Sequence, residues 1–278
     1  MKPIEMELEK SLENCESSKV LEAMNYSLLA GGKRLRPLLL FETCKAYGVD
    51  TNIANPFACA LEMIHTYSLI HDDLPAMDND VLRRGRNTCH VEFDEATAIL
   101  AGDALNTEAF YVMSQAICRD DQKIKCIEIL ANCAGVNGMI LGQALDIESE
   151  NKQISWNELE RLHRNKTGKL FAAAFMMASV LADDKVHLPF WQEIGEKLGL
   201  AFQIQDDILD ITKTSEELGK SNSDVENHKS TSVTLLGIEE ANKILAKHFD
   251  EVVGMIESLE INSTDLIQLL MSIRTRQM

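Results

Sequence analysis

Apolar and polar positions along the 278-residue chain repeat with the period of an α-helix almost throughout. Phe57, Ala60, Leu61, Ile64 and Ser68, with Leu69 between them, form the i, i+3, i+4, i+7 stripe of one helix face. Ile194, Leu198, Phe202, Ile204 and Ile208 form a second, and further helical periods run from Ile124 to Leu145 and from Leu170 to Leu181. The only strand-like run, Ser232 to Leu236, is short. Gly31 and Gly32 suit a helix end, and Pro37 suits the first turn of the next helix. Pro75 disfavours helix at Leu74, so a helix should stop near Asp73. The polar stretch Thr212 to Lys229, rich in Ser, Asn and Gly, reads as a loop. No linker, repeat or low-complexity stretch interrupts the pattern. It predicts an all-α, single-domain helical bundle over residues 1–278 with buried central helices.

Composition fits that picture: 45% of residues are hydrophobic, enough for a substantial core. The net charge of −17 argues against generic binding to nucleic acid or to anionic membranes. A phosphate ligand would then need local cations or metal ions to reverse the sign. The seven cysteines form no CxxC pair and their count is odd, which points to reduced thiols in a cytoplasmic protein rather than to zinc or disulfides. The N-terminus carries no apolar signal core, and no stretch is expected to span or stably enter a bilayer.

Two aspartate clusters break the apolar pattern. One is Asp72-Asp73 followed by Asp78 and Asp80; the other is Asp206-Asp207 followed by Asp210. On a helix, Asp206, Asp207 and Asp210 share one face. Asp72 and Asp73 fall at a predicted helix C-terminus, where the dipole and their mutual repulsion both disfavour carboxylates. Taken alone, each cluster reads more readily as a solvated acidic helix end. Both, however, follow strongly apolar segments, SLIHDD and FQIQDD, where a mere surface patch would be costly. Carboxylate oxygens suit magnesium, which takes one or two protein carboxylates together with substrate phosphates and water. Two such clusters facing one cavity would clamp a metal–diphosphate.

Basic groups accompany the acids. Gly31-Gly32-Lys33-Arg34-Leu35-Arg36 sets three cations beside two glycines, with Lys33 and Arg36 at helical spacing. Arg83 and Arg84 follow the first cluster; Lys166-Thr167-Gly168-Lys169, Gly219-Lys220 and Lys229 follow later. Lys33, Arg36, Arg83 and Arg84 flank turns and acids and are read as phosphate ligands. Arg34 and Lys169 are read as surface charge. No Gly-Lys pair fits a P-loop. A lone His65 or His71 is more often a packed residue than a ligand, and neither lies in an HExxH pattern, which argues against zinc. Gln143 and Asp146 share a helix face, equally as supporting groups or as ordinary polarity.

In this order, GGKRLRP, IHTYSLIHDDLPAMDNDVLRRGRNTCH, LAGDAL, GQALDIE, NKTGKLF, FQIQDDILD, LGK and HKSTSVTLLG resemble the short-chain trans-prenyl diphosphate synthases, above all their bacterial farnesyl type, over most of the chain. The resemblance implies the isoprenoid-synthase helical bundle with a central active-site cavity, and a homodimer. It implies that Lys33, Arg36, His65 and Arg84 bind isopentenyl diphosphate. Asp72 and Asp78 would hold two magnesium ions and Asp206 a third, with Asp73, Asp207 and Asp210 assisting and manganese able to substitute. Arg83, Lys166, Thr167, Gln203, Lys220 and Lys229 would hold the allylic diphosphate. Asp72, Asp73, Asp78, Arg83, Lys166, Asp206 and Lys220 would form the catalytic set, with Gln143 and Asp146 behind it. Tyr67 precedes Asp72 by roughly 7.5 Å of helix rise and, with Ser68, would floor the chain pocket. That implies farnesyl diphosphate made from dimethylallyl and geranyl diphosphates. The alternatives are a geranylgeranyl synthase and a non-catalytic subunit of a heteromeric synthase. A terpene cyclase would not need a second DDxxD together with GGKRLR. The chain departs from bacterial members at Ser221 to Asp224, at Ser232 and in its SIRTRQM end.

Overall fold

Helices form wherever the apolar period is regular. The computed structural model describes residues 3–212 and 230–276. Its first helices are α1 (Pro3–Leu12), α2 (Lys19–Leu28), α3 (Leu35–Ala46) and α4 (Thr51–Asp72). A two-residue antiparallel pair, β1 (Leu82–Arg83) and β2 (Arg86–Asn87), leads to α5 (Cys89–Glu92) and α6 (Glu95–Ser114). Then come α7 (Asp120–Ala134), α8 (Met139–Ser149), α9 (Trp156–His163), a π-helical turn (Arg164–Gly168), α10 (Lys169–Leu181) and α11 (Leu188–Thr212). The last helices are α12 (Ser232–Leu236), α13 (Ile238–Glu257) and α14 (Thr264–Arg274).

The core gathers on α4, α10 and α11. Helix α10 is apolar on every side and correspondingly buried all round, from Leu170 and Phe171 through Ala178 to Val180. Its alanines let α3, α7 and α11 approach closely. Trp191 of α11 stacks on Phe175 at 5.3 Å, and its indole N–H donates to the Tyr47 hydroxyl at 2.9 Å, so its polar end is satisfied inside the core. Helix starts follow side-chain caps: Ser18, Asp50 and Asp94 each accept a backbone N–H, and Ser155 with Glu158 closes a capping box.

Four expectations are corrected here. The period from Ile124 to Leu145 is two helices, because Gly135 and Gly138 close a turn between α7 and α8. The joint run Asp120–Ser149 does have the length and composition of a membrane span, contrary to expectation; the turn divides it, and Ile129, Leu130, Cys133 and Met139 face the core. The strand-like run Ser232–Leu236 is helical. Thr231 and Thr234 cap it reciprocally, and this local bonding overrides β-branching. Arg34 and Lys169 are not surface charges. Lys169 meets Glu196 at 2.6 Å in a partly buried pair. Arg34, at 3% exposure, meets Glu62 of α4 at 2.8 Å and donates to the Leu28 carbonyl at 2.7 Å. The predicted loop from Thr212 lies, from residue 213 to Lys229, outside the described residues, and Lys220 and Lys229 with it.

The Arg34–Glu62 pair clamps the Gly31–Arg34 turn onto α4. Removing one partner strands a charge in the core. Arg34→Met should therefore lower the unfolding free energy by about 3–5 kcal/mol, and Arg34→Met/Glu62→Leu should recover much of that loss in chemical denaturation. A single-variant loss below about 1 kcal/mol would contradict the clamp.

Candidate active site

The first aspartate cluster is shaped by the end of α4. The Asp73 N–H still donates to the Leu69 carbonyl, and Pro75 then turns the chain out of helix. The loop folds back: the Asp78 N–H donates to the Asp72 carbonyl at 2.8 Å, and Asn79 adopts a left-handed φ of 53°. Burial pushes the Asp72 carboxyl up to about 6; Lys166 and Arg83 oppose that shift, while Asp78 and Asp146 add to it. Lys166 meets Asp146 at 2.6 Å, so Asp72, Asp78, Asp146 and Lys166 form one electrostatic group. Asp73 takes both arms of Arg83, at 2.6 and 2.8 Å, and Arg83 also lies 3.5 Å from Asp80. The β1–β2 hairpin aims Arg83 and Arg84: Arg84 and Gly85 both have positive φ (54° and 72°), the signature of a tight two-residue turn.

The second cluster lies near the end of α11. Burial pushes the Asp207 carboxyl up to about 7, with Asp206 and Asp210 raising it further, although the Ser232 N–H donates to it at 2.6 Å. Asp206 is paired with Arg276 of the C-terminal segment. The π-helical turn links the clusters. Its Lys166 reaches Asp146 and the first cluster, and the next residue, Thr167, donates to Gln203 of α11 at 2.9 Å, just before Asp206. Such π turns re-aim side chains out of a regular helix. Gly142 lets α8 touch this turn, since a Cβ there would fall 2.1 Å from the Lys166 nitrogen. Beside it, both polar atoms of the Gln143 amide are buried without a partner among the described residues.

A cationic group lies further back along α4, around Glu62 and His65. The Arg84 guanidinium donates to the Gly31 carbonyl and crowds Gly32, where a Cβ would sit 2.9 Å from its central carbon; Gly32 also has φ +122°. Burial lowers Arg36 to about 10, Glu62 opposing and Arg84 contributing, and its guanidinium lies 5.1 Å above the Phe171 ring. Burial, with Arg36, Arg84, Arg83 and Arg34 nearby, holds His65 well below its usual value and therefore neutral. Mutually repelling cations gathered this closely would suit an anion. Lys33 is exposed and precedes α3, so it does not share a helical face with Arg36 as its spacing suggested.

Tyr67 is 7% exposed, packs edge-on to His71 at 5.8 Å, and its hydroxyl is pushed up to about 12 by burial and by Asp72. Ser68 donates to the His65 carbonyl. Among the described residues no three His, Cys, Asp or Glu side chains converge as a ready-made metal cage. The donors nonetheless fit a hard divalent ion that completes its shell with phosphate and water: oxygen-only ligands, unevenly compensated and partly desolvated at Asp72 and Asp207.

The polyprenyl synthetase family model matches residues 17–268. The chain belongs to that family. This polyprenyl synthetase is 47% identical over 264 residues to the farnesyl diphosphate synthase of Haemophilus influenzae, covering 92% of this chain and 90% of that one. It is 47% identical over 256 residues to the Escherichia coli farnesyl diphosphate synthase, covering 90% and 86%. Its fold superposes with TM-score 0.83, at 37% identity, on the Helicobacter pylori geranyltransferase complexed with magnesium and isoprenyl diphosphate, covering 98% of this chain and 95% of that one. Near the polyprenyl synthetase site lie two groups that the sequence reading passed over, Glu62 and Arg276, and one that it misread as surface charge, Arg34. Glu62 was detectable as a lone acid inside the apolar run ALEMIH; Arg276 carries no local signal.

Asp72 is more basic folded than unfolded (about 6 against 3.8), so between those values the folded state holds the extra proton and stability falls as pH rises. In metal-free protein, Asp72→Asn should raise the unfolding free energy by about 1–2 kcal/mol at about pH 8, with the gain vanishing near about pH 4. A gain independent of pH would contradict the burial of this carboxyl.

Proposed function

We propose that this polyprenyl synthetase is a farnesyl diphosphate synthase, condensing isopentenyl diphosphate with dimethylallyl and then geranyl diphosphate. The observation that carries the reading is that two opposite charge sets lie along the C-terminal half of α4, acids around Asp72 and arginines around His65. The carboxylates of Asp72, Asp78 and Asp206 would hold about three magnesium ions per site, with Asp73, Asp207 and Asp210 assisting and manganese substituting. When bound, these ions neutralise diphosphate charge and make it a better leaving group.

The chain's own residues do the rest. Arg83, Lys166, Thr167 and Gln203, joined by Lys220 and Lys229, orient the allylic diphosphate and meet the charge that develops as its C–O bond breaks. Asp146 fixes Lys166, and the Gln143 amide, without a partner among the described residues, would support the same ligand. Arg36, Arg84, His65 and Lys33 hold isopentenyl diphosphate so that its double bond lies against the allylic carbon. Apolar walls exclude water from the cation. The departing diphosphate accepts the proton lost at the end. Tyr67, beside Ser68, floors the pocket and stops growth at fifteen carbons. The active form is a single-domain, cytoplasmic homodimer that binds no nucleic acid. Support for this comes from the exposed apolar side chains Ile99, Leu100 and Tyr111 along α6, the seven unpaired cysteines and the net charge of −17.

Purified protein given labelled isopentenyl diphosphate, each allylic primer and magnesium should release farnesyl diphosphate. A cyclised hydrocarbon, or no product from any primer, would overturn the reading. In the same assay with excess isopentenyl diphosphate, Tyr67→Ala should yield products of about twenty carbons or more; an unchanged product would remove Tyr67 as the floor. Arg36→Ala should raise the KM for isopentenyl diphosphate about 10- to 100-fold and leave the allylic KM within about twofold. Equal changes in both would contradict two separate anion sites.

A further inference from the structure

The C-terminal segment places a cation on the second aspartate cluster. Arg276, its side chain 8% exposed, pairs through Nη2 with the Asp206 carboxylate. Its Nε donates to Gln205 Oε1 at 2.7 Å, Nη2 also reaches the Phe202 carbonyl at 3.2 Å, and the guanidinium lies 3.7 Å from the Phe202 ring centre. Gln205 in turn donates to the Arg274 carbonyl at 2.7 Å, and Arg274 meets Asp250 of α13 at 2.7 Å. The segment is thus pinned along α11 by side chains on both sides of the pair.

We infer that Arg276 is an internal counter-ion of Asp206 that a divalent cation must displace, so that metal binding at this cluster releases the C-terminal segment from α11. The inference rests on Asp206 being a metal ligand, as proposed above. An arginine keeps its charge at every working pH, so the pair persists until another cation takes the carboxylate. Arg276 holds Oδ1 of Asp206, and a divalent ion coordinated by that carboxylate would stand within a few ångströms of the guanidinium and repel it strongly. The Phe202 ring beneath Arg276 also packs edge-on to Phe171, at 5.6 Å, and Phe171 lies under Arg36. Departure of Arg276 therefore uncovers a ring that packs on Phe171 beneath Arg36.

The test is manganous-ion binding, followed by electron paramagnetic resonance, to the full chain with inorganic diphosphate present. Arg276→Gln should bind the ion at the second cluster about tenfold more tightly than the wild type, and Arg276→Lys should fall between the two. Hydrogen exchange at Ile273 to Arg276 should accelerate when manganese is added to the wild type and be already fast in Arg276→Gln. Unchanged or weaker binding in Arg276→Gln, with a wild-type melting temperature, would overturn displacement and make Arg276 a support of the site. Asp206→Asn separates the two readings: it should lose one bound ion whatever stands at 276. Retention of every ion in that variant would remove the metal assignment itself.

Discussion

Charge buried among helices must be matched, and this fold is organised around that constraint. An unpaired carboxylate or guanidinium in an apolar setting is strongly destabilising. The chain answers with close pairs: Arg34 with Glu62, Arg83 with Asp73, Lys166 with Asp146, and Arg276 with Asp206. Two places are left out of balance. Three carboxylates, Asp72, Asp78 and Asp146, meet Lys166 and Arg83; around His65, four arginines face Glu62. The first imbalance suits metal ions and the second suits an anion, and a metal-bound diphosphate beside a free one would satisfy both.

Backbone geometry turns that imbalance into a site. A regular helix would send Lys166 and Thr167 round the same cylinder as their neighbours. The π turn instead lets one meet Asp146 while the other meets Gln203. Gly142 brings α8 into backbone contact with this turn, and the left-handed residues Gly31, Gly32, Arg34 and Arg84 fold two loops against each other at the cationic side. The site thus draws on loops and helix ends held by rigid core helices, and its polar groups are aimed before any ligand arrives.

Much of this was legible in the sequence because it is written in local chemistry. Pro75 marks the end of α4 within one residue, and the aspartate clusters stand out against the apolar runs that precede them. Features decided by distant packing were not legible. Arg34 and Arg36 are both basic and two positions apart, yet a left-handed cap turns Arg34 inward onto Glu62, which lies 28 residues along the chain. Arg276 lies 70 residues beyond Asp206, and nothing in SIRTRQM announces the pairing. The Ile124 to Leu145 period concealed a turn because Ala134 and Val136 flank Gly135 and Met139 follows Gly138.

The central claim is that one diphosphate site is built of protein cations and the other requires metal. Isothermal titration of inorganic diphosphate into the protein tests it directly, first with chelator and then with magnesium. The account predicts one binding event per chain without metal, abolished by Arg36→Ala, and a second that appears only with magnesium and is abolished by Asp72→Ala. A stoichiometry unchanged by magnesium, or no binding in its absence, would contradict it.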